Sequence, residues 1–488
     1  MSLETLPLES TKILNDCPRL RVLVVGKVSK SGTGKSSLIS IAFGVTMKSV
    51  SHIAAGESDV NEPIESDQNP RFVLHDSMGF EPNETKNLEH VTTFLKARSD
   101  ETVALKDRVH IIWLCIRVPH AGGRVFETGD ELLLELAFKL QVPVVVVFTQ
   151  YDVLLNAMYL RLRKGTNEER TKAAEENFQD LCIKPLQDIK KKLLQEMKDP
   201  VPEMKEDLPY ARTSGLSGGP KAEPNWDALD EIIKTTRELI EKRFGGEAWI
   251  VSAMAQRTSV EEKINGAIAV GMQNYWKGLA TSSKFPGWKL ETCLNTVHKE
   301  MTDSWNLYDP DDLLQKEEFL KKMRTLAQLV TPKESDAKSW WRPNFDQLQT
   351  IAGFAVAAGV AAFAVVPLIA GIGLSVYFLT LLATTYNESP ETLRCFMGYI
   401  IDLSLVMDQL FHITIARSVR PLTNTDIDEA LENYKNARLG AVHREIRTYA
   451  GKASIQEIVR AGPAEKKMQE LIRHYSFDLR AGRGTRKA

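Results

Sequence analysis

At 488 residues the chain is long enough for two or three domains, and a formal net charge of −2 excludes a global field that would draw it to nucleic acid. The five cysteines (Cys17, Cys115, Cys182, Cys293, Cys395) are scattered and include no CxxC pair. That spacing argues against a zinc site or a disulfide framework and suits a reducing, cytoplasmic setting.

Residues 1–18 form an N-terminal extension in which Met1 to Asn15 mixes Glu with Leu, without the cationic start and apolar core of a secretory signal. The run Leu20-Arg-Val-Leu-Val-Val-Gly26 predicts a buried strand. Ser31-Gly32-Thr33-Gly34-Lys35-Ser36-Ser37 follows it and opens a helix predicted to run from Ser36 to Phe43. A strand, a glycine-rich loop and a helix start make a polyphosphate cradle: glycines let backbone N–H groups approach the anion, a lysine reaches the β/γ oxygens, and a hydroxyl can hold Mg²⁺. The pattern GxxxxGK[ST] asks for glycine at position 29, where Ser29 stands. With Val28-Ser29-Lys30 set aside as an insertion, Gly26-Lys27-Ser31-Gly32-Thr33-Gly34-Lys35-Ser36 fits. The competing explanation is a chance Gly/Ser-rich turn.

Gly56 to Ile64 is polar and predicts a loop with an edge strand. Arg71 to Asp76 predicts a short strand ending in a carboxylate, followed at once by Ser77-Met78-Gly79. Asp76 at a strand tip can hold the water shell of Mg²⁺, and the Gly79 N–H can meet a γ-phosphate. Val109 to Val118 and Val142 to Phe148 predict two further strands with a helix over Leu132 to Leu140 between them, so strands alternate with helices as in a parallel sheet covered on both faces. Thr149-Gln150-Tyr151-Asp152 lies at the last of these strand tips. A carboxylate there can accept both N1–H and N2–H of guanine, a donor pair that adenine lacks; the bland alternative for Asp152 is a helix cap. A charged stretch, about 156–207, predicts an inserted helical pair, and Tyr210 to Gly215 predicts a loop returning to the base, with Ser214 and Gly215 at its end. Trp226, Leu229, Ile232, Ile233, Thr236, Leu239, Ile240 and Phe244 recur at helical spacing and predict an amphipathic helix that closes the domain.

The ordered set of phosphate loop, DxxG, Thr149-Gln150-Tyr151-Asp152 and late Thr-Ser-Gly resembles the P-loop small-GTPase superfamily. It is most similar to the bacterial-type, 50S-ribosome-binding-like G domains and to fungal G-domain-containing proteins. The resemblance covers residues 19–245. It implies an α/β P-loop NTPase domain with a mostly parallel sheet, binding GTP/GDP with Mg²⁺. It further implies that Gly26, Ser31, Gly32, Thr33, Gly34, Lys35, Ser36 and Ser37 cradle the phosphates. Asp76 and Gly79 would serve metal and γ-phosphate, and Thr149, Gln150, Asp152, Ser214 and Gly215 the base. Ser36 and Asp76 would hold the metal, with Ser58 as candidate for the second hydroxyl and Ser51 as its rival. Two departures bear on chemistry. Gln150 stands where such proteins carry lysine, and Phe80 stands where many carry a water-orienting glutamine, a task its ring cannot perform. Lys35 and Gly79 are then the catalytic candidates, with Glu81 a substitute for the glutamine or simply a solvated loop residue. The expected activity is a slowly hydrolysing switch that takes its missing group from a homodimer or an activating protein. A nucleotide-binding scaffold with negligible hydrolysis and an ATP-binding P-loop protein are the alternatives.

The remainder predicts an all-α region: helical 246–349, a hydrophobic segment 350–386 and a helical 387–488. The 37 residues of 350–386 carry no charge, enough for one tilted bilayer span or a hairpin turning near Pro367, and equally for a buried core hairpin. From Asn433 to Ala488, 13 Lys and Arg face 5 Asp and Glu. This basic tail suits anionic membrane lipid or a solvated helical face.

Overall fold

The structure is a computed structural model that describes residues 14–26, 34–45, 59–78, 80, 86–119, 124–196, 207–214, 226–245, 248–270, 290–330, 390–415, 420–452 and 461–476. The chain divides into two compact units on either side of Ser259 and Val260.

In the first unit the order is β1 (Leu20–Gly26), α1 (Lys35–Phe43), β2 (Phe72–Met78), α2 (Lys86–Ser99), β3 (Ile111–Arg117), α3 (Thr128–Lys139), β4 (Val144–Thr149), α4 (Tyr151–Arg161), α5 (Asn167–Phe178), α6 (Lys184–Glu196), β5 (Tyr210–Arg212), α7 (Trp226–Phe244) and α8 (Ala248–Ala255). The five strands form one sheet in the order β2-β1-β3-β4-β5, every pair parallel. Because side chains alternate along a strand, each face receives every second residue. Leu23, Val25, Ile112, Leu114, Val146 and Phe148 share a core with Val91 and Phe94 of α2 and Leu133 and Leu134 of α3. On the other face the Phe43 ring of α1 stacks on Phe72 at 3.8 Å, and the Trp113 indole N–H donates to Thr236 Oγ1 of α7 at 3.0 Å. Burial on both faces explains why β1, β3 and β4 are nearly continuous apolar runs.

Several elements differ from the sequence expectation. The segment from Tyr210 is a strand before it is a loop: Tyr210 to Arg212 pair with Val146 to Phe148. Three residues paired on one side leave little periodicity to detect. The expected edge strand ending at Ile64 is an isolated antiparallel bridge to Leu74. Strand β2 runs on to Met78, so Asp76 lies two residues inside it. Helix α3 begins at Thr128, where Glu127 and Asp130 form a capping box. The insertion has three helical pieces, α4 to α6, and a π-helical turn, Gln179–Ile183, joins α5 to α6.

A segment after α7 straps the first unit. Asn69 donates from Nδ2 to Phe43 O and Ala255 O, both at 2.7 Å, and Arg257 N–H donates to Ala42 O at 2.7 Å. These bonds tie the C-terminal end of α1 to the turn before β2.

The elements of the second unit are helices among its described residues: α9 (Val260–Ile268), α10 (Leu290–Trp305), α11 (Glu317–Gln328), α12 (Pro390–Ile415), α13 (Asn424–Tyr434), α14 (Gly440–Lys452) and α15 (Ala461–Tyr475). Leu403, Val406, Leu410 and Phe411 of α12 lie in one core with Val297, Met323, Leu431 and Ile472 of its neighbours. A second π-helical turn, Lys435–Leu439, joins α13 to α14. Among the described residues no helix is long and apolar enough to cross a membrane. The segment 350–386 lies outside the described residues, as do the tail residues beyond 476.

Candidate functional site

The strand order reverses direction at β1, whose neighbours β2 and β3 lead to opposite sides of the sheet. In open parallel sheets a crevice forms at such a reversal, outside the carboxyl ends of the strands, and ligands bind there. The described candidates fall at that edge. Gly26 ends β1, Lys35 opens α1, Asp76 and Ser77 are near the end of β2, Thr149 ends β4, and Ser214 follows β5.

Gly26 is fixed by close approach. A Cβ added there would lie 2.8 Å from the Cys115 carbonyl oxygen of β3, a backbone atom that cannot step aside. Gly34 adopts the left-handed region at φ 78° and turns the chain into α1. That helix has no acidic residue in its first turn and no side-chain cap among the described residues, so its own first turn sets no carboxylate against an anion there. Ser36 is exposed there and Ser37 partly so.

The Lys35 ammonium is buried and donates to Asp76 Oδ1, and to Ser77 O at 3.1 Å. The pair joins the phosphate-loop candidate to the metal candidate across β1 and β2. Among the described residues no three His, Cys, Asp or Glu side chains form a metal cage. Asp76 and the exposed Ser36 offer one carboxylate and one hydroxyl, oxygen donors of the kind that fit Mg²⁺ sharing its shell with phosphate oxygens and water.

At the far end of the edge, Thr149 is fully buried and Gln150 takes the left-handed conformation at φ 61° as it caps α4. A non-glycine residue held there costs free energy that the surroundings must supply, and such positions cluster at functional sites. Tyr151 N–H donates to Thr213 O at 3.0 Å, and Thr213 N–H donates to Phe148 O at 2.7 Å, locking the loop after β4 to the end of β5. Two buried side-chain oxygens here, Asp152 Oδ1 and Thr213 Oγ1, have no hydrogen-bond partner among the described residues. Buried polar atoms are normally paired, so these two, in the first turn of α4 and just after β5, mark this part of the sheet edge as unusual.

The side chain of Tyr151 points into the insertion. The Arg212 guanidinium lies 4.6 Å from its ring centroid, and the Phe178 ring of α5 meets it edge-on at 5.4 Å. Arg212 also donates to Glu175 of α5, whose carboxylate accepts from Tyr151 Oη at 3.4 Å and from Gln179 Nε2 at 3.2 Å. Burial works to lower the proton affinity of Arg212, but Glu175 outweighs it and the net shift is upward. Burial likewise works to raise Glu175, and the hydrogen bonds from Arg212 and Gln179 hold it below its ordinary value. Sequence inspection missed this cluster, because Arg212, Glu175 and Tyr151 are far apart in the chain.

Phe80 is buried, and a Cβ at Gly129 of α3 would collide with its ring. Its ring is thus part of the core. Ser31, Gly32, Thr33, Ser51, Ser58, Gly79, Glu81, Gly215 and the Val28-Ser29-Lys30 insertion lie outside the described residues.

A family model described as "Domain of unknown function (DUF8505)" matches residues 313–485. The match spans α11 to α15. It includes none of the sheet. No curated protein matches the chain.

Proposed function

We propose that the sheet-bearing unit binds a guanine nucleotide with Mg²⁺ and hydrolyses it slowly, acting as a switch. The observation that carries this reading is the buried, unpartnered Asp152 Oδ1 on the same sheet edge as the Lys35–Asp76 pair. A carboxylate oxygen without a donor suits the two N–H groups of guanine, while a cationic side chain beside an uncapped helix start suits a polyphosphate. The nucleotide would supply the phosphoryl group that passes to water. Lys35 would neutralise the β/γ oxygens, α1 would present its first N–H groups, and Asp76 with Ser36 would hold the metal. Gly26 would let the chain leave β1 close against β3. From the sequence alone, Ser58 is proposed as second metal hydroxyl, Gly79 for the γ-phosphate and Glu81 for the attacking water. A homodimer or an activating protein is proposed to complete hydrolysis, and 350–386 to engage membrane lipid.

A nucleotide-binding scaffold with negligible hydrolysis is the second reading, favoured by the burial of Phe80 in the core. Titration of the full chain with fluorescent GDP and ADP analogues in Mg²⁺ tests both. Lys35→Ala should weaken nucleotide binding about 10–100-fold, the worth of one charge-assisted hydrogen bond. Asp152→Asn should weaken guanine binding by a similar factor and leave adenine binding unchanged. Equal affinity for both bases, untouched by Asp152→Asn, would favour the ATP-binding alternative. Binding without phosphate release, with or without lipid vesicles, would favour the scaffold.

A further inference from the structure

We infer that the insertion is a working part of the base site, and that Arg212 is a positioning residue that sets base selectivity through Tyr151. The inference rests on the guanine-nucleotide reading above.

Tyr151 lies between the strained Gln150 and Asp152, whose buried Oδ1 has no partner among the described residues, so whatever fixes its ring fixes the first turn of α4. Four contacts do so. Its N–H is held by Thr213 O, its ring is covered by Arg212 on one side and met by Phe178 on another, and its hydroxyl is directed at Glu175. Arg212 is the common partner. Its guanidinium also lies 5.6 Å from the Phe178 ring centroid and pairs with Glu175, so one side chain joins β5, the loop after β4 and α5. It also immediately precedes Thr213, whose hydroxyl is the second orphan, and Ser214.

Gln150 lacks the long cationic stem expected in a guanine-binding loop, so the loop must gain rigidity elsewhere. A planar cation stacked on a ring and paired with a carboxylate supplies it, because each partner limits the rotamers of the others. The insertion contributes two of the four groups, Glu175 and Phe178. Its removal or loosening therefore acts on Asp152 without touching the phosphate end, where Lys35 and Asp76 belong to different elements.

The test measures the ratio of GDP to ADP affinity for the full chain. Arg212→Ala and Glu175→Gln should each lower the ratio, Arg212→Ala by about 3–30-fold, the range spanned by a partly buried cation–ring contact. Tyr151→Phe keeps the ring and its contacts with Arg212 and Phe178, loses the 3.4 Å contact to Glu175, and should lower the ratio less than Arg212→Ala. In an Asp152→Asn background Arg212→Ala should change the ratio no further, as expected if it acts through that carboxylate. A fall in melting temperature with an unchanged ratio would overturn the inference and leave guanine binding standing. Should Arg212→Ala fail to fold, Glu175→Gln decides, since that side chain is partly exposed. A wild-type chain with no guanine preference would overturn the guanine reading and this inference together.

Discussion

Two acids of the helical unit and one of the sheet unit differ in how their carboxylate oxygens are met. In the helical unit, Asp402 is fully buried on α12 and accepts from Tyr434 Oη and from His443 Nε2 at 3.0 Å. Asp426 is held by Arg420 in a two-pronged contact and by the hydroxyl of Thr423. These carboxylates are satisfied by their own chain. In the sheet unit, Asp152 and Thr213 keep oxygens that nothing in the described chain satisfies. Closed networks specify a unique packing, whereas open acceptors on a strand edge are suited to a visitor. The contrast separates acids that hold the fold from one that the proposed guanine site would use.

The sharpest way to break that contrast is a pair of substitutions. Asp402→Ala strands a buried hydroxyl and an imidazole, and should lower unfolding free energy by about 2–5 kcal/mol in a denaturant titration. Asp152→Asn should cost less than about 1 kcal/mol in the same titration, because its buried oxygen has no partner to lose. Equal costs would erase the distinction.

Acid comes next in size. Burial pushes His75 and His110 of the sheet unit, and His298 of the helical unit, down to about 4. His75 Nε2 faces the Arg21 guanidinium at 2.8 Å and Nδ1–H donates to Val60 O, so the ring is neutral. The unfolded value is near 6.5, so the unfolded chain binds more protons below that pH. Stability is therefore complete above about 6.5 and is lost as pH falls toward about 4, by on the order of 3 kcal/mol per ring. Melting curves between pH 7 and 4 should show the sheet unit, with two such rings, losing more than the helical unit.

Helix caps give the smallest effect. Thr166 and Thr423 each cap a helix within a reciprocal box, α5 and α13 respectively. Thr166→Ala, on an exposed cap, should cost about 1 kcal/mol or less. Thr423→Ala should cost more, since buried Asp426 also loses a donor. Chemical denaturation of both variants orders them.

Much of the sheet is legible from its residues. Val144 to Thr149 is a run of β-branched and aromatic side chains buried on both faces, and Lys35 follows a glycine turn after such a run. The pattern also puts Gly26, Asp76 and Asp152 each at or beside the end of a predicted strand. What was hidden depends on distant pairing. Tyr210 to Arg212 become a strand only because β4 offers an edge, and Thr213 emerges as an orphan only when its neighbours are packed. The orientation of Tyr151 depends on Phe178 and Arg212, which no local period connects to it. In the helical unit the spacing foretold helices, but Asp402 reads as one polar residue in an apolar run until Tyr434 and His443 close on it.

The two π-helical turns share a position that has a consequence for chain length. Each begins at the residue after an anchored aromatic, Phe178 or Tyr434, and leads into the next helix. A wide turn carries one residue more than α-geometry requires, so deleting a single residue from either lets the turn close and leaves the downstream face in place, whereas inserting one would spin everything downstream by about 100° about its axis. With that insertion, Leu186, Ile189 and Leu193 would leave the core after the first turn, Val442 and Ile446 after the second. Both turns thus tolerate the loss of one residue better than the gain of one.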